Sequence, residues 1–359
     1  MPDRIFNFSA GPGTLPMEVL QQAAKDVVNF NDKGIGLIEM SHRSKEFIAV
    51  ADETEALLRE LLQVPDNFKV LFLQGGASTQ FAMVPMNLLG PGKKASYLNT
   101  GTWSKKAIKE AKFFGDVQVA YSSEESVFNH VPSADDFQVD DDAEYLYYVS
   151  NNTIYGTQFH ELPKTDKMLV CDMSSDIMSR PVDFSRFGLV FAGAQKNMGP
   201  AGCAVVIIRE DLLDRVPENV PTMFRYKTHA DTGSMFNTPP CFAIHVIGLV
   251  LKWLKNLGGI PAIEKINREK AALLYEAIDS TDFYRGHAQK SSRSLMNITF
   301  NLPTPELEAK FVSEATAQGF DGLKGHRSVG GCRASIYNAF PRDGVEKLIA
   351  FMQEFEKNN

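Results

Sequence analysis

The chain has 359 residues, 44% of them hydrophobic and 23% charged, with a formal net charge of −7. That length supports two domains, because a single core stops growing near about 250–300 residues. The negative balance leaves no basic footprint for nucleic acid, and no apolar run approaches the ~18 residues that span a membrane. Met1-Pro2-Asp3-Arg4-Ile5-Phe6 has no basic segment followed by an apolar stretch, so no signal peptide is expected. Cys171, Cys203, Cys241 and Cys332 are widely spaced, each in or beside an apolar or strand-like segment. Buried free thiols are expected rather than disulfides or a metal site, and a cytoplasmic protein fits.

Residues 1–16 read as irregular, with turn formers in Asn7-Phe8-Ser9-Ala10-Gly11-Pro12-Gly13. A helix is expected over 16–30, broken by Gly34-Ile35-Gly36, and Ser41-His42-Arg43-Ser44 precedes a second. In that second helix Phe47, Ala51, Thr54, Leu58 and Leu61 fall on one stripe. Lys69–Leu73 reads as a buried strand, followed by Gln74-Gly75-Gly76-Ala77-Ser78-Thr79-Gln80 opening a helix to Leu89. Strand, glycine pair, hydroxyl residues and helix start turn free backbone N–H groups toward one point, which is either a phosphate cradle or a capped glycine turn.

The alternation continues with strands at 95–98, 117–121, 145–149 and 168–171, and a helix from about Trp103 to Phe114. Gly188 to Ala192 is a further apolar strand. It runs into Gly193-Ala194-Gln195-Lys196-Asn197-Met198-Gly199-Pro200, and Cys203 to Ile208 restores a strand. A lysine at a buried strand end loses hydration. The same loss lowers its pKa and makes it a better nucleophile toward a carbonyl. Alternating strands and helices imply a largely parallel sheet, with the ligand crevice beyond the strands' carboxyl ends. Gly75-Gly76, Thr153, Asp172 and Lys196 all fall at such ends. Residues 211–240 read as loop. A helix over 241–257 stops at Gly258-Gly259, and another runs to about Asp279. Strands at 295–300 and 332–337 alternate with helices at 305–318 and 344–355 in a smaller α+β part.

A carbonyl-reactive lysine, a phosphate cradle and a carboxylate at neighbouring strand ends together suggest pyridoxal phosphate. The lysine holds the aldehyde, the carboxylate keeps the pyridine nitrogen protonated, and backbone amides hold the phosphate. Trp103, at a helix start, would stack on the ring; taken alone it is more simply a packing residue.

Ala192–Gly202 closely resembles the cofactor-lysine segment of the phosphoserine aminotransferases, within the class V, fold-type I aminotransferases. Similar to that family as well are Asn7–Pro12, Ser41–Ser44, Cys171-Asp172-Met173-Ser174-Ser175, Asn237-Thr238-Pro239-Pro240 and Gly325-His326-Arg327-Ser328-Val329-Gly330-Gly331-Cys332-Arg333-Ala334-Ser335. The resemblance covers essentially the whole chain. It implies an α/β fold with a mostly parallel seven-stranded sheet in a large domain (16–258) and a smaller α+β domain (1–15 and 259–359).

It also implies roles. Lys196 would bind the cofactor aldehyde and shuttle the substrate's α-proton. Asp172 would pair with the ring nitrogen, Trp103 stack on the ring, and Thr153 bond the ring hydroxyl. Gly76, Ala77, Ser174 and Gln195 would face the phosphate, joined by Asn237 and Thr238 from the partner of a homodimer. Ser9, His42, Arg43 and Arg333 would serve the substrate, Arg333 as the carboxylate clamp, and His326 and Arg327 would bind its phosphate across the dimer interface. The expected reaction is reversible amino transfer between L-glutamate and 3-phosphooxypyruvate, in serine biosynthesis and also on the route to pyridoxine. Some family members carry Arg directly after Gly-Gly-Ala; here Ser78 removes that cation from the site. The alternatives are another class V enzyme, such as an alanine–glyoxylate aminotransferase, and a non-catalytic pyridoxal-phosphate-binding protein.

Overall fold

The computed structural model describes residues 4–359; the N-terminal reading at Met1–Asp3 lies outside the described residues. Seven apolar segments form one sheet: β1 (Phe68–Leu73), β2 (Lys94–Asn99), β3 (Asp116–Ser122), β4 (Ala143–Val149), β5 (Leu169–Asp172), β6 (Phe187–Gly193) and β7 (Ala204–Arg209). Their spatial order is β1-β7-β6-β5-β4-β2-β3. All pairings are parallel except those of β7, which runs against both β1 and β6. The reason is local. Parallel neighbours need a long crossover, whereas β6 and β7 are joined by the short connection Ala194–Cys203 and so reverse direction.

The strands read as unbroken apolar runs because both faces of the sheet are covered. Along β6, Val190 and Ala192 enter one core while Leu189 and Phe191 enter the other. The first core is closed by α2 (Lys45–Leu62) and α6 (Cys241–Asn256), the second by α3 (Gly76–Leu88) and α4 (Thr102–Ala111); α1 (Met17–Val28) packs Val19 and Ala23 on Val246 and Val250 of α6. Ser44 caps α2 by accepting from Phe47 N at 3.2 Å, and Phe47, Ala51, Thr54 and Leu58 form its buried stripe. Where α2 crosses α6, a Cβ on Gly248 would lie 2.5 Å from Thr54 Oγ1, so only glycine permits that approach.

A third core belongs to the C-terminal part. There β8 (Arg285–Gly286), β9 (Asn297–Asn301) and β10 (Cys332–Ser335) form an antiparallel sheet, accompanied by α7 (Gly259–Asp279), α8 (Pro305–Ala317) and α9 (Arg342–Lys357). Gly258 and Gly259, with φ of +109° and +73°, make the turn between α6 and α7, whose axes differ by 82°. Ile260 and Ile263 of α7 pack in the first large core, and Ala271, Leu274 and Ile278 in the C-terminal one. The expected division at 258/259 remains a proposal, supported by this separate core.

Three features differ from expectation. Phe6–Asn7, expected to be irregular, pairs in parallel with Phe320–Asp321, which seats Phe8 in the C-terminal core. The helix expected to reach Phe114 ends at Ala111, and the loop expected over 211–240 contains 3-10 turns and α5 (Tyr226–Ala230). All four cysteines are free; Cys171, Cys203 and Cys332 are buried, while Cys241 is half-buried at the start of α6. Among the described residues no single helix is long and apolar enough to cross a membrane.

Candidate active site

The connection after β6 carries Lys196 and is held shut by its own backbone. Ala194 N donates to Cys203 O at 2.9 Å, and Gly199 N donates to Ala194 O at 2.8 Å. Asp172 closes β5, the neighbouring strand. At the end of β1, Gly75 and Gly76 take φ of +88° and +62°, a left-handed turn that starts α3 with its first amides free. These strand ends meet at a cavity of about 280 Å³, lined by Gly76, Ala77, Trp103, Asp172, Ser174, Gln195 and Lys196 among others. That volume sits at the lower edge of the roughly 300–1,000 Å³ usual for ligand pockets.

Lys196 is buried, and its Nζ donates to Thr153 Oγ1 at 2.6 Å. Burial pulls the amine's pKa down to about 8; the Asp172 carboxylate works against that shift and the Arg333 guanidinium adds to it. Asp172 is raised from the ordinary carboxylate value, first by burial, while the Ser174 hydroxyl and backbone N–H oppose. Ser174 N donates to Asp172 Oδ1 at 2.8 Å, and Ser174 Oγ accepts from Gly193 N at 3.0 Å, tying β5 to β6. One cavity therefore holds an amine with a lowered pKa and a buried acid.

Arg333, on β10, reaches the same point: its Nη1 donates to Thr153 O at 3.4 Å. Burial lowers its pKa. His326 is lowered too, by burial first and then by the positive charges of Arg333, Arg327 and Lys106, which favour its neutral imidazole. Lys106 Nζ stands 4.7 Å from the Trp103 ring centroid. The N-terminal loop with half-buried Ser9 lies behind Lys196, where Gly13 N donates to Gln195 O at 2.7 Å.

Four expected residues stand apart from this cavity. His42 is buried with Nε2 unpartnered and Arg43 is exposed, both ahead of α2. Asn237 lines a second cavity of about 350 Å³, and Thr238 O accepts from Gln74 Nε2 at 2.8 Å. Conversely, Asn151 and Ser175 line the Lys196 cavity although sequence reasoning assigns them no role there. Asn151 Nδ2 donates to Ser175 Oγ and to Asn297 Oδ1, both at 2.8 Å. The signal available for them was a polar pair, Asn151-Asn152, directly after a strand.

The cavity fits a phosphorylated pyridine aldehyde. Trp103 Nε1 and Arg333 Nε are buried without partners, and nothing lies within 4 Å of a Cβ built on Gly76, which leaves open space at the amide cradle. The sequence profile of the class-V aminotransferases matches residues 5–348. The chain belongs to that family. It is 72% identical to a phosphoserine aminotransferase of Desulfotalea psychrophila, over 100% of this chain and 99% of that one. The phosphoserine aminotransferase structure from Bacillus circulans subsp. alkalophilus superposes with a TM-score of 0.97 at 51% identity, covering 99% of both chains. A PLP-bound phosphoserine aminotransferase from Trichomonas vaginalis gives 0.93 at 41% identity, covering 98% of this chain and 100% of that one.

For this class-V aminotransferase, pyridoxal phosphate is the cofactor, and if Lys196 is the amine that receives it, the Lys196 environment sets the pH of loading. The neutral amine is the form that attacks an aldehyde, and a pKa lowered to about 8 makes it available above that pH. Loading of the cofactor-free protein, followed by visible absorbance, is therefore expected to accelerate as pH rises through about 8. A rate flat across that range would contradict the assignment of the amine.

Proposed function

We propose that the chain transfers the amino group of L-glutamate reversibly to 3-phosphooxypyruvate, giving 2-oxoglutarate and O-phospho-L-serine. That places it in serine biosynthesis, with the phosphorylated four-carbon analogue on the route to pyridoxine as a second substrate. The observation that carries the reading is the buried Lys196 amine within one cavity with Asp172, with the Arg333 guanidinium meeting Thr153 from the other side. Bound there, pyridoxal phosphate supplies an electron sink for the carbanion left when the substrate loses its α-proton.

The chain's residues do the rest. Gly76 and Ala77 amides at the start of α3, with Ser174 and Gln195, would hold the cofactor phosphate at a positive helix end. Asp172 would keep a proton on the ring nitrogen, Trp103 would cover the ring face, and Thr153 would bond the ring hydroxyl. Lys196 would be the base that takes the proton from the substrate's Cα and keeps it at hand on its amine. Arg333 orients the α-carboxylate with paired N–H groups. His326 and Arg327 hold the side-chain phosphate, and Lys106 leaves that region cationic although Ser78 supplies no charge.

Asn237, Thr238, Ser9, His42 and Arg43 complete the arrangement in a homodimer, Asn237 and Thr238 from the partner subunit. In support, Asn237 and Thr238 stand outside the Lys196 cavity of their own chain, among the exposed apolar side chains Met223, Phe224, Phe236 and Phe242. A cytoplasmic location fits the four free thiols.

The test is a titration of the holoenzyme's visible absorbance with O-phosphoserine, serine, alanine and glutamate. O-phosphoserine and glutamate should each convert the bound cofactor to its amine form at far lower concentration than serine. Conversion by alanine and not by O-phosphoserine would favour an alanine–glyoxylate enzyme, and no conversion at all a non-catalytic binder. In the same assay Arg327→Ala is expected to raise KM for O-phosphoserine by on the order of 10-fold or more, the loss of one charge-assisted pair, with glutamate little affected. Equal losses for both substrates would remove the phosphate role.

A further inference from the structure

Lys270 lies in the middle of α7 with no exposed surface. A lysine normally extends its amine to water, and burying the charge is costly without partners. Here the partners are three backbone carbonyls: Ile336 O at 3.1 Å, Tyr337 O at 2.8 Å and Phe340 O at 3.0 Å. Three acceptors match the three N–H bonds of an ammonium. One turn earlier on the same helix face, Asn267 Nδ2 donates to Asn338 Oδ1 at 2.8 Å. Thus α7 grips the segment 336–340, which follows directly from β10, the strand that carries Arg333.

From that segment two contacts run on toward Lys196. Asn338 N donates to Asn197 Oδ1 at 3.0 Å, beside the reactive amine. Tyr337 Oη donates to Ala10 O at 2.6 Å. A Cβ on Gly13 would stand 2.8 Å from the Tyr337 ring and 2.9 Å from Lys196 O, so ring, N-terminal loop and lysine turn are in one column. Without the Lys270 amine, Ile336 O and Phe340 O lose their donor, Tyr337 O keeps only Phe340 N, and the segment loses its fixed height above α7.

We propose that Lys270 is a positioning residue for the transamination site, setting the Lys196 turn and the N-terminal loop through Tyr337 and Asn338. The proposal rests on the reading of Lys196 as the reactive amine. Its test uses the holoenzymes of Lys270→Met, Tyr337→Phe and the double variant. Hydrogen exchange of the peptide covering residues 8–15 is measured beside kcat and KM for O-phosphoserine. Both single variants should exchange faster in that peptide and lose kcat by on the order of 10-fold, with KM changed by less than about threefold. The double variant should be no worse than the worse single one, because the two act in series. If Lys270→Met lowers only the thermal midpoint, with exchange, kcat and KM as in the parent, the proposal fails. Should Lys270→Met not fold, Tyr337→Phe decides, since it keeps the lysine's three carbonyl bonds; parent-like exchange and kcat there would overturn the coupling. The exchange readout needs no turnover, so its outcome stands apart from which substrate the enzyme takes.

Discussion

Replacing Lys196 with alanine is expected to lower kcat by on the order of 10⁴-fold or more, because in the proposed mechanism one amine serves both as nucleophile and as the proton carrier. The fold should survive. The side chain makes one hydrogen bond, to Thr153 Oγ1, and its removal relieves the cost of burying an amine. Compared without cofactor, which would stabilise the parent alone, the variant should therefore melt no earlier than the parent. Borohydride reduction followed by peptide mapping should find the cofactor on the Lys196 peptide in the parent and nowhere in the variant. Undiminished turnover, or a label on a different lysine, would defeat the mechanism.

The second large effect is expected at Asp172. Asp172→Asn keeps the shape of the side chain but takes away the charge that, as proposed, would hold a proton on the ring nitrogen. A loss in kcat on the order of 10²-fold is expected, similar to removing one preorganised electrostatic partner. The same substitution should shift the titration of its neighbour. Asp172 raises the Lys196 pKa against the effect of burial, so without it the amine falls further below about 8. In the cofactor-free variant the pH at which loading accelerates should move down. A midpoint moving up, or staying fixed, would mean that the two groups do not feel each other.

Strand and helix order was legible because each buried strand is an apolar run and each amphipathic helix has one stripe, as at Phe187–Gly193 and Lys45–Leu62. The pairing of Phe6–Asn7 with Phe320–Asp321 was not. Two-residue strands at opposite ends of the chain are too short to show a hydrophobic period, which needs a longer window. Lys196 and Asp172 stood out because charge at a buried strand end is costly and therefore conspicuous. Asn151, Tyr337 and Asn338 did not. Their importance lies in partners at 297, 10 and 197, which a local pattern does not report. Asn237 and Thr238 carry a separate lesson: their place in the site, as proposed, is in another copy of the chain, and one fold by itself leaves them beside a different cavity.

The reversal of β7 has a further consequence. Because the connection that carries Lys196 starts and ends on two strands paired with each other, its main chain is held at a set height beside Asp172 on the next strand. In the proposed role, the rotations of one long side chain would then be the whole travel of the base, and the rest of the sheet would stay still while it works.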